Sequence, residues 1–260
     1  MAYFPTTLSD LQTYIGNLVN DPTYTRYSLT IINNYLDLAQ HRWNNEAKIC
    51  RLTDYVACTA NQYRYQLSSV LTLQPIMMLR VTWKGVPVIP RSKDYFDKYS
   101  TIDWTTTIGT PQEFAIDLNS NNTGLSQTGP SIIMHPVPQE GDVTTYTNAV
   151  GITNQNPLGI EYLCPHTTMV NPTDQPFTVN GVFINTTMIP YLAGLGLDVA
   201  ASLLEPDPTP ETIQKAKTFR AQANSYLSLV IQMYQGLEED APLRFGGGRT
   251  VRPSGIASSS

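Results

Sequence analysis

Apolar residues recur at helical spacing at both ends of this chain and at strand spacing between them. That change of period limits the fold more than any other feature. Leu8, Leu11, Ile15 and Leu18 step by three and four residues, as do Leu29, Ile32, Leu36, Ala39 and Trp43. Asn20-Asp21-Pro22 interrupts the two stripes, which predicts a pair of antiparallel helices joined by a short turn. Thr7 and Asp10 stand at capping-box spacing, with Asp in the usual Glu or Gln place. Towards the other end, Ile189-Pro190 opens a stripe of Leu192, Leu195, Val199 and Leu203, which Glu205-Pro206-Asp207-Pro208 closes. Thr209, Pro210 and Glu211 then supply an N-cap, a first-turn proline and a first-turn acid for a helix carrying Ile213, Ala216, Ala223, Leu227, Val230 and Ile231. Each stripe is too narrow to hold a helix pair stable alone. The pairs are therefore expected to pack together, with Leu36, Trp43, Leu195, Val199, Leu227 and Ile231 sharing one core.

Between the pairs the pattern is that of strands and loops. Tyr63, Tyr65 and Leu67 alternate with polar positions, and Ile76 to Trp83 leads through Lys84-Gly85 into Val86-Pro-Val-Ile89, a strand, turn and return strand. Ser92–Tyr99 reads as a short helix, Phe114–Leu118 and Ile132–Pro138 as strands, and Gly159–Leu163 and Phe177–Ile184 as weaker ones. Residues 147–157 and 165–176 read as long loops. The predicted class is α+β: an antiparallel bundle of N- and C-terminal helix pairs (1–50 and 188–236), a central β-rich insertion (51–187) and an extended C-terminal arm (237–260).

Charge is distributed unevenly over this plan. No lysine or arginine occurs between Lys98 and Lys215, a stretch that holds eleven acids, whereas residues 1–98 carry ten bases and seven acids. A surface that grips phosphates needs cations, so the middle does not bind nucleic acid by itself; it stays solvated, repels DNA or pairs with a basic neighbour. Only 14% of residues are charged while 15 are Tyr, a balance that suits burial of much surface against other subunits. A polar, lectin-like β protein shares that composition. The N-terminus shows no basic region followed by an apolar run, and no apolar stretch approaches the ~20 residues that span a bilayer, so a soluble protein made in a cytoplasm is expected.

Catalytic motifs are weak. Cys164 and His166 lie two apart on a proline-bent loop, whereas a nucleophile and its base usually come from distant positions. Zinc would require Cys50, Cys58, Cys164 and His166 to converge, yet seven residues separate the first two. Three free thiols are the expectation, with no metal and no cofactor. Gly194-Leu-Gly196 lacks a preceding strand and a third glycine, so it reads as close helix packing, not dinucleotide binding. The arm is more pointed: Leu243, Arg244, Phe245, Arg249 and Arg252 combine two apolar anchors with spaced arginines around a triple glycine. Such a segment can order on a protein partner.

Taken in order, Leu8–Leu18, the Ile31–Ala39 run with Trp43, Leu79-Arg-Val-Thr-Trp-Lys-Gly85, Gly109-Thr-Pro-Gln-Glu-Phe114, Ile132-Ile-Met-His-Pro-Val-Pro138 and Tyr191–Leu204 resemble the head-to-tail adaptor (connector, tail tubular protein A-like) family of tailed, particularly short-tailed, bacteriophages. The long polar stretch from about Asn148 to Asn185 departs from a minimal adaptor. The resemblance implies a structural virion protein at the head-tail junction, without catalytic residues. It implies a dodecameric ring beneath the portal protein, joined to a tail nozzle or tail tube protein, through which genomic DNA passes unread. It also implies that the arm docks on the portal. The alternative is a tail nozzle or spike-type β-rich module recognising a host surface ligand, which would show repeated strands without helices.

Overall fold

The computed structural model of the chain describes residues 5–99, 104–117, 129–140, 156–183 and 186–235. The N-terminal capping box forms: Asp10 N–H donates to Thr7 Oγ1 at 3.2 Å, and Thr7 N–H donates to Asp10 Oδ2 at 3.1 Å. Helix α1 (Leu8–Leu18) follows. The chain turns at Asp21, whose carboxylate accepts the backbone N–H groups of Tyr27, Thr25 and Arg26 at 2.8–2.9 Å. Those donors, Tyr27 first, hold its carboxyl below the usual carboxylate range. Ser28 then caps α2 (Leu29–Ala47).

The second pair is α5 (Leu192–Leu204), entered through a 3₁₀ turn at Thr186–Tyr191, and α6 (Pro210–Gln235). Eleven of the thirteen residues of α5 are buried, because α1, α2 and α6 all pack on it. A helix apolar on one stripe would leave a face to solvent; this one is enclosed. Leu36, Trp43, Leu195, Val199 and Leu227 lie in one buried cluster, and Ile231 packs at its margin. Leu29, at the start of α2, is exposed instead. Gly194 and Gly196 permit the close approach: a Cβ on Gly194 would lie 2.5 Å from Tyr226 Cβ, and one on Gly196 would lie 2.6 Å from the Tyr14 ring.

The strands build two four-stranded sheets. The first has the antiparallel order β1 (Arg51–Val56), β8 (Leu158–Leu163), β3 (Met77–Trp83), β4 (Val86–Pro87). The second has the order β2 (Arg64–Gln66), β7 (Ser131–His135), β6 (Glu113–Asp117), β5 (Ile89–Arg91), with β5 parallel to β6. Short helices α3 (Leu67–Val70) and α4 (Lys93–Tyr99) and the hairpin of β9 (Thr178–Val179) and β10 (Val182–Phe183) complete the described residues.

Two strand expectations need correction. The return strand after Lys84-Gly85 does not stay beside β3: after Val88 N–H donates to Val81, Ile89 N–H donates to Gln112 and the chain joins the other sheet. Pro87 and Pro90 have no N–H to continue a ladder, so the switch falls between them. The segment read as a weak strand at 159–163 is instead an inner strand, flanked by β1 and β3, with Leu158, Ile160, Tyr162 and Leu163 buried. It lies inside the polar stretch singled out as a departure, so part of that stretch is core. Buried polar side chains of α2 join the helices to this layer. Asn44 Oδ1 accepts from Cys50 N–H at 2.7 Å, its Nδ2 donates to the Cys164 carbonyl at 2.9 Å, and Gln40 accepts from Phe177 N–H. The buried cluster is accordingly continuous from the helices into both sheets. A β-only module is not what this chain builds.

Candidate functional site

The acids of the cation-free middle find their partners at a distance in sequence. Glu113 pairs with Arg91, Asp117 with Arg64 and Lys93, Glu161 with Arg51, Asp198 with Arg42 and Arg220, Glu205 with Arg220, and Asp207 with Arg26. Asp174 turns inward on its own loop, accepting the N–H groups of Asn171 and Val170, which depress its carboxyl. The charge segregation along the sequence therefore becomes, in three dimensions, a set of ion pairs between the middle and its basic flanks. Most are partly exposed and individually weak.

Two of these paired carboxylates are buried, Asp117 against Arg64 and Asp198, and Asp198 draws partners from two other helices. Its side chain is 2% exposed, in the centre of α5. The carboxylate accepts from Trp43 Nε1 at 3.1 Å and Arg42 at 3.1 Å, both from α2, and from Arg220 of α6. Arg42 continues to Glu46 at 2.9 Å and Asn224 at 2.8 Å; Arg220 continues to Ser202 and Glu205. Three helices from opposite ends of the chain meet on one carboxylate. Sequence reading placed Trp43 in the core but missed Asp198, whose only signal was to be the lone acid of an otherwise apolar helix.

The chemistry-bearing residues separate. Cys50 and Cys164 are buried side by side, with Cys164 Sγ donating to the Cys50 carbonyl at 3.2 Å, and all three cysteines are free thiols. Burial pushes Cys58 and Cys164 up to about 11 and raises Cys50 further, which keeps them protonated and poor nucleophiles. Cys58 lies instead beside the Val56 carbonyl and Tyr65. His166 turns away to α2, where its Nε2 sits 3.2 Å from Asp37 Oδ1 and its ring meets that of His41 edge-on. Burial lowers its affinity for a proton, so it is held neutral. Cys50, Cys58, Cys164 and His166, already disfavoured as zinc ligands by their spacing, do not gather as a set of four; Asp37, His41 and His166 do come together. The spacing of Asp37 and His41 is one helical turn and could be read from the sequence, but nothing there announced the third member. The arm residues Leu243, Arg244, Phe245, Arg249 and Arg252 lie outside the described residues.

Helices from both ends of the chain pack on one another and share a core with the β-rich middle, an α+β fold. The sequence model of the SU10 adaptor protein family matches residues 6–242, and the chain belongs to that family of phage head-tail adaptors. The match agrees with the resemblance seen in the sequence and stops one residue short of Leu243. No curated protein matches the chain. Among the described residues no helix is long and apolar enough to cross a membrane.

Proposed function

We propose that this adaptor assembles as a dodecameric ring at the head-tail junction of the virion, joins the portal protein to a tail nozzle or tail tube protein, and forms part of the channel through which DNA leaves. The observation that carries this reading is the family match, which covers both helical ends and the whole β-rich middle. The surface of α2 supports it. Ile31 and Leu38 are exposed two turns apart on one side, Leu38 to 63%, and apolar residues so placed suit contact with a neighbouring subunit. The protein has no catalytic role in this scheme and requires no cofactor. Electron microscopy of the purified protein, alone and mixed with its portal, tests it. Rings that cap the portal are expected; a protein that neither forms rings nor binds the portal would overturn the reading.

The base-free middle lies on the lumen or on the tail-side rim of the ring. Six of its acids are already matched by cations from the flanks, so this wall offers a passing duplex little net attraction. The full chain is expected to show no duplex binding at physiological ionic strength in a fluorescence-anisotropy titration. Binding that persists at that salt concentration would contradict a non-gripping channel.

The arm is the portal anchor. Leu243 and Phe245 fill apolar grooves, and Arg244, Arg249 and Arg252 donate charge-assisted hydrogen bonds to carboxylates. Deleting residues 243–260 should leave the melting temperature nearly unchanged and strongly weaken portal attachment in a pull-down. Undiminished docking by the truncated chain would transfer the joint to the helical body.

A further inference from the structure

The loop between β8 and β9 brings His166 against α2. Its Nε2 lies 3.2 Å from Asp37 Oδ1, and His41 Nε2 lies 3.6 Å from Asp37 Oδ2. One donor atom from each of the three residues falls within 4.8 Å of the others. Two ligands bound to a tetrahedral zinc ion at about 2.0–2.1 Å are about 3.3 Å apart. The two separations run to different oxygens of Asp37, so His166 already stands at that distance from Oδ1, and His41, 46% exposed, is free to approach the same oxygen by side-chain rotation. His166 is fully enclosed, and its Nδ1 has no hydrogen-bond partner. An ion on Nε2 leaves Nδ1 as it is; what points to a site is the convergence of a buried imidazole, a second imidazole and a carboxylate.

We infer that Asp37, His41 and His166 form a binding site for a divalent transition-metal ion of the zinc type. Two imidazole nitrogens and one carboxylate favour zinc, cobalt or nickel over magnesium or calcium, which prefer all-oxygen sites. Asp37 and His41 are partly exposed, so the side away from His166 is open to water, which would fill the fourth position. The ion links α2 to the 164–177 loop. That loop also receives the start of α1, because the carbonyls of Asp174 and Pro172 accept from Leu8 and Ser9 N–H at 2.8 and 3.0 Å. Metal binding therefore clamps the loop on which the first helix begins and stiffens the helical body at that end.

The test is a Co²⁺ titration of the full chain after chelator treatment, followed by visible absorption, with Zn²⁺ as competitor and thermal unfolding in parallel. The expected result is saturation at about one ion per chain, bands erased by Zn²⁺, and a melting temperature raised by about 5 °C at saturating Zn²⁺. His41→Gln alters an exposed side chain, so it should melt like the parent without metal while binding at least about tenfold more weakly. Asp37→Asn should weaken binding similarly, and His166→Gln should abolish it if the chain folds. Absence of saturable binding by the parent, unchanged affinity in His41→Gln, or near-ultraviolet bands of cobalt-thiolate character would each overturn the site, the last by assigning the ion to the cysteines.

Discussion

Replacing Asp198 by alanine is expected to destabilise the chain by about 3 kcal/mol, within the usual range for breaking a buried ion pair by removing one partner. The substitution deletes the acceptor for Trp43 Nε1, leaving that buried indole N–H unpaired, and strips the shared counter-charge from Arg42 and Arg220. Both arginines retain other acceptors, Glu46 and Asn224 for one and Glu205 and Ser202 for the other, which keeps the loss from being larger. Asp198→Asn keeps an acceptor for one donor but presents its own amide hydrogens to cations, and should fall between alanine and the parent. The comparison is Arg26→Ala. It removes an ion pair with Asp207 whose arginine is half exposed, and should leave the urea midpoint close to that of the parent. Urea unfolding with unchanged slope would measure all three. A loss below about 1 kcal/mol for Asp198→Ala would mean that apolar packing alone holds α2, α5 and α6 together.

How much of this could be read in the sequence follows from how local each signal is. The capping box at Thr7 and Asp10, the proline start at Pro210 and the strands around Val81, Phe114 and Ile132 are set by neighbours in the chain, and all form. The strand β8 read as weak because Gly159 and Glu161 interrupt its apolar run. The glycine is demanded from outside the segment, since a Cβ there would lie 2.5 Å from Thr82 Oγ1 on β3. Its other neighbour, β1, alternates in burial, with Thr53 and Tyr55 exposed between Leu52, Asp54 and Val56, but the inward Asp54 and outward Tyr55 reverse the polar-apolar order that the sequence would need to show it. The enclosure of α5 was hidden for the opposite reason: periodicity reports which face is apolar, not how many helices will cover it. The site behaved likewise. The sequence displayed the segregation of acids from bases, but the pairing of Asp198 with Arg42, or of Asp37 with His166, spans well over a hundred residues and exists only after folding.

The two glycines of α5 differ sharply in what surrounds them, and substituting each by alanine should separate a fixed wall from a movable one. At Gly194 a Cβ would meet Tyr226 Cβ at 2.5 Å and the far ring carbon of Trp43 at 2.7 Å. The Tyr226 atom is rooted in the backbone of α6 and Trp43 is fully buried, so α6 must move away from α5 to make room. Overpacking of this kind costs about 1–3 kcal/mol, and displacing a helix that also carries Arg220 towards Asp198 places Gly194→Ala near the upper end. Alanine's better helix propensity returns roughly 1 kcal/mol at either position. At Gly196 the obstacle is one edge of the Tyr14 ring, Cδ1 at 2.6 Å and Cε1 at 3.0 Å, on a half-buried side chain of α1 that can swing aside about its own bonds. Gly196→Ala should therefore lie within about 1 kcal/mol of the parent, of either sign. Gly194→Val adds two more carbons against the same wall and should prevent a stable fold. Equal midpoints for the two alanine variants in urea would show that α5 and α6 are less tightly apposed than their geometry requires, and that the small residues are not what sets the distance between them.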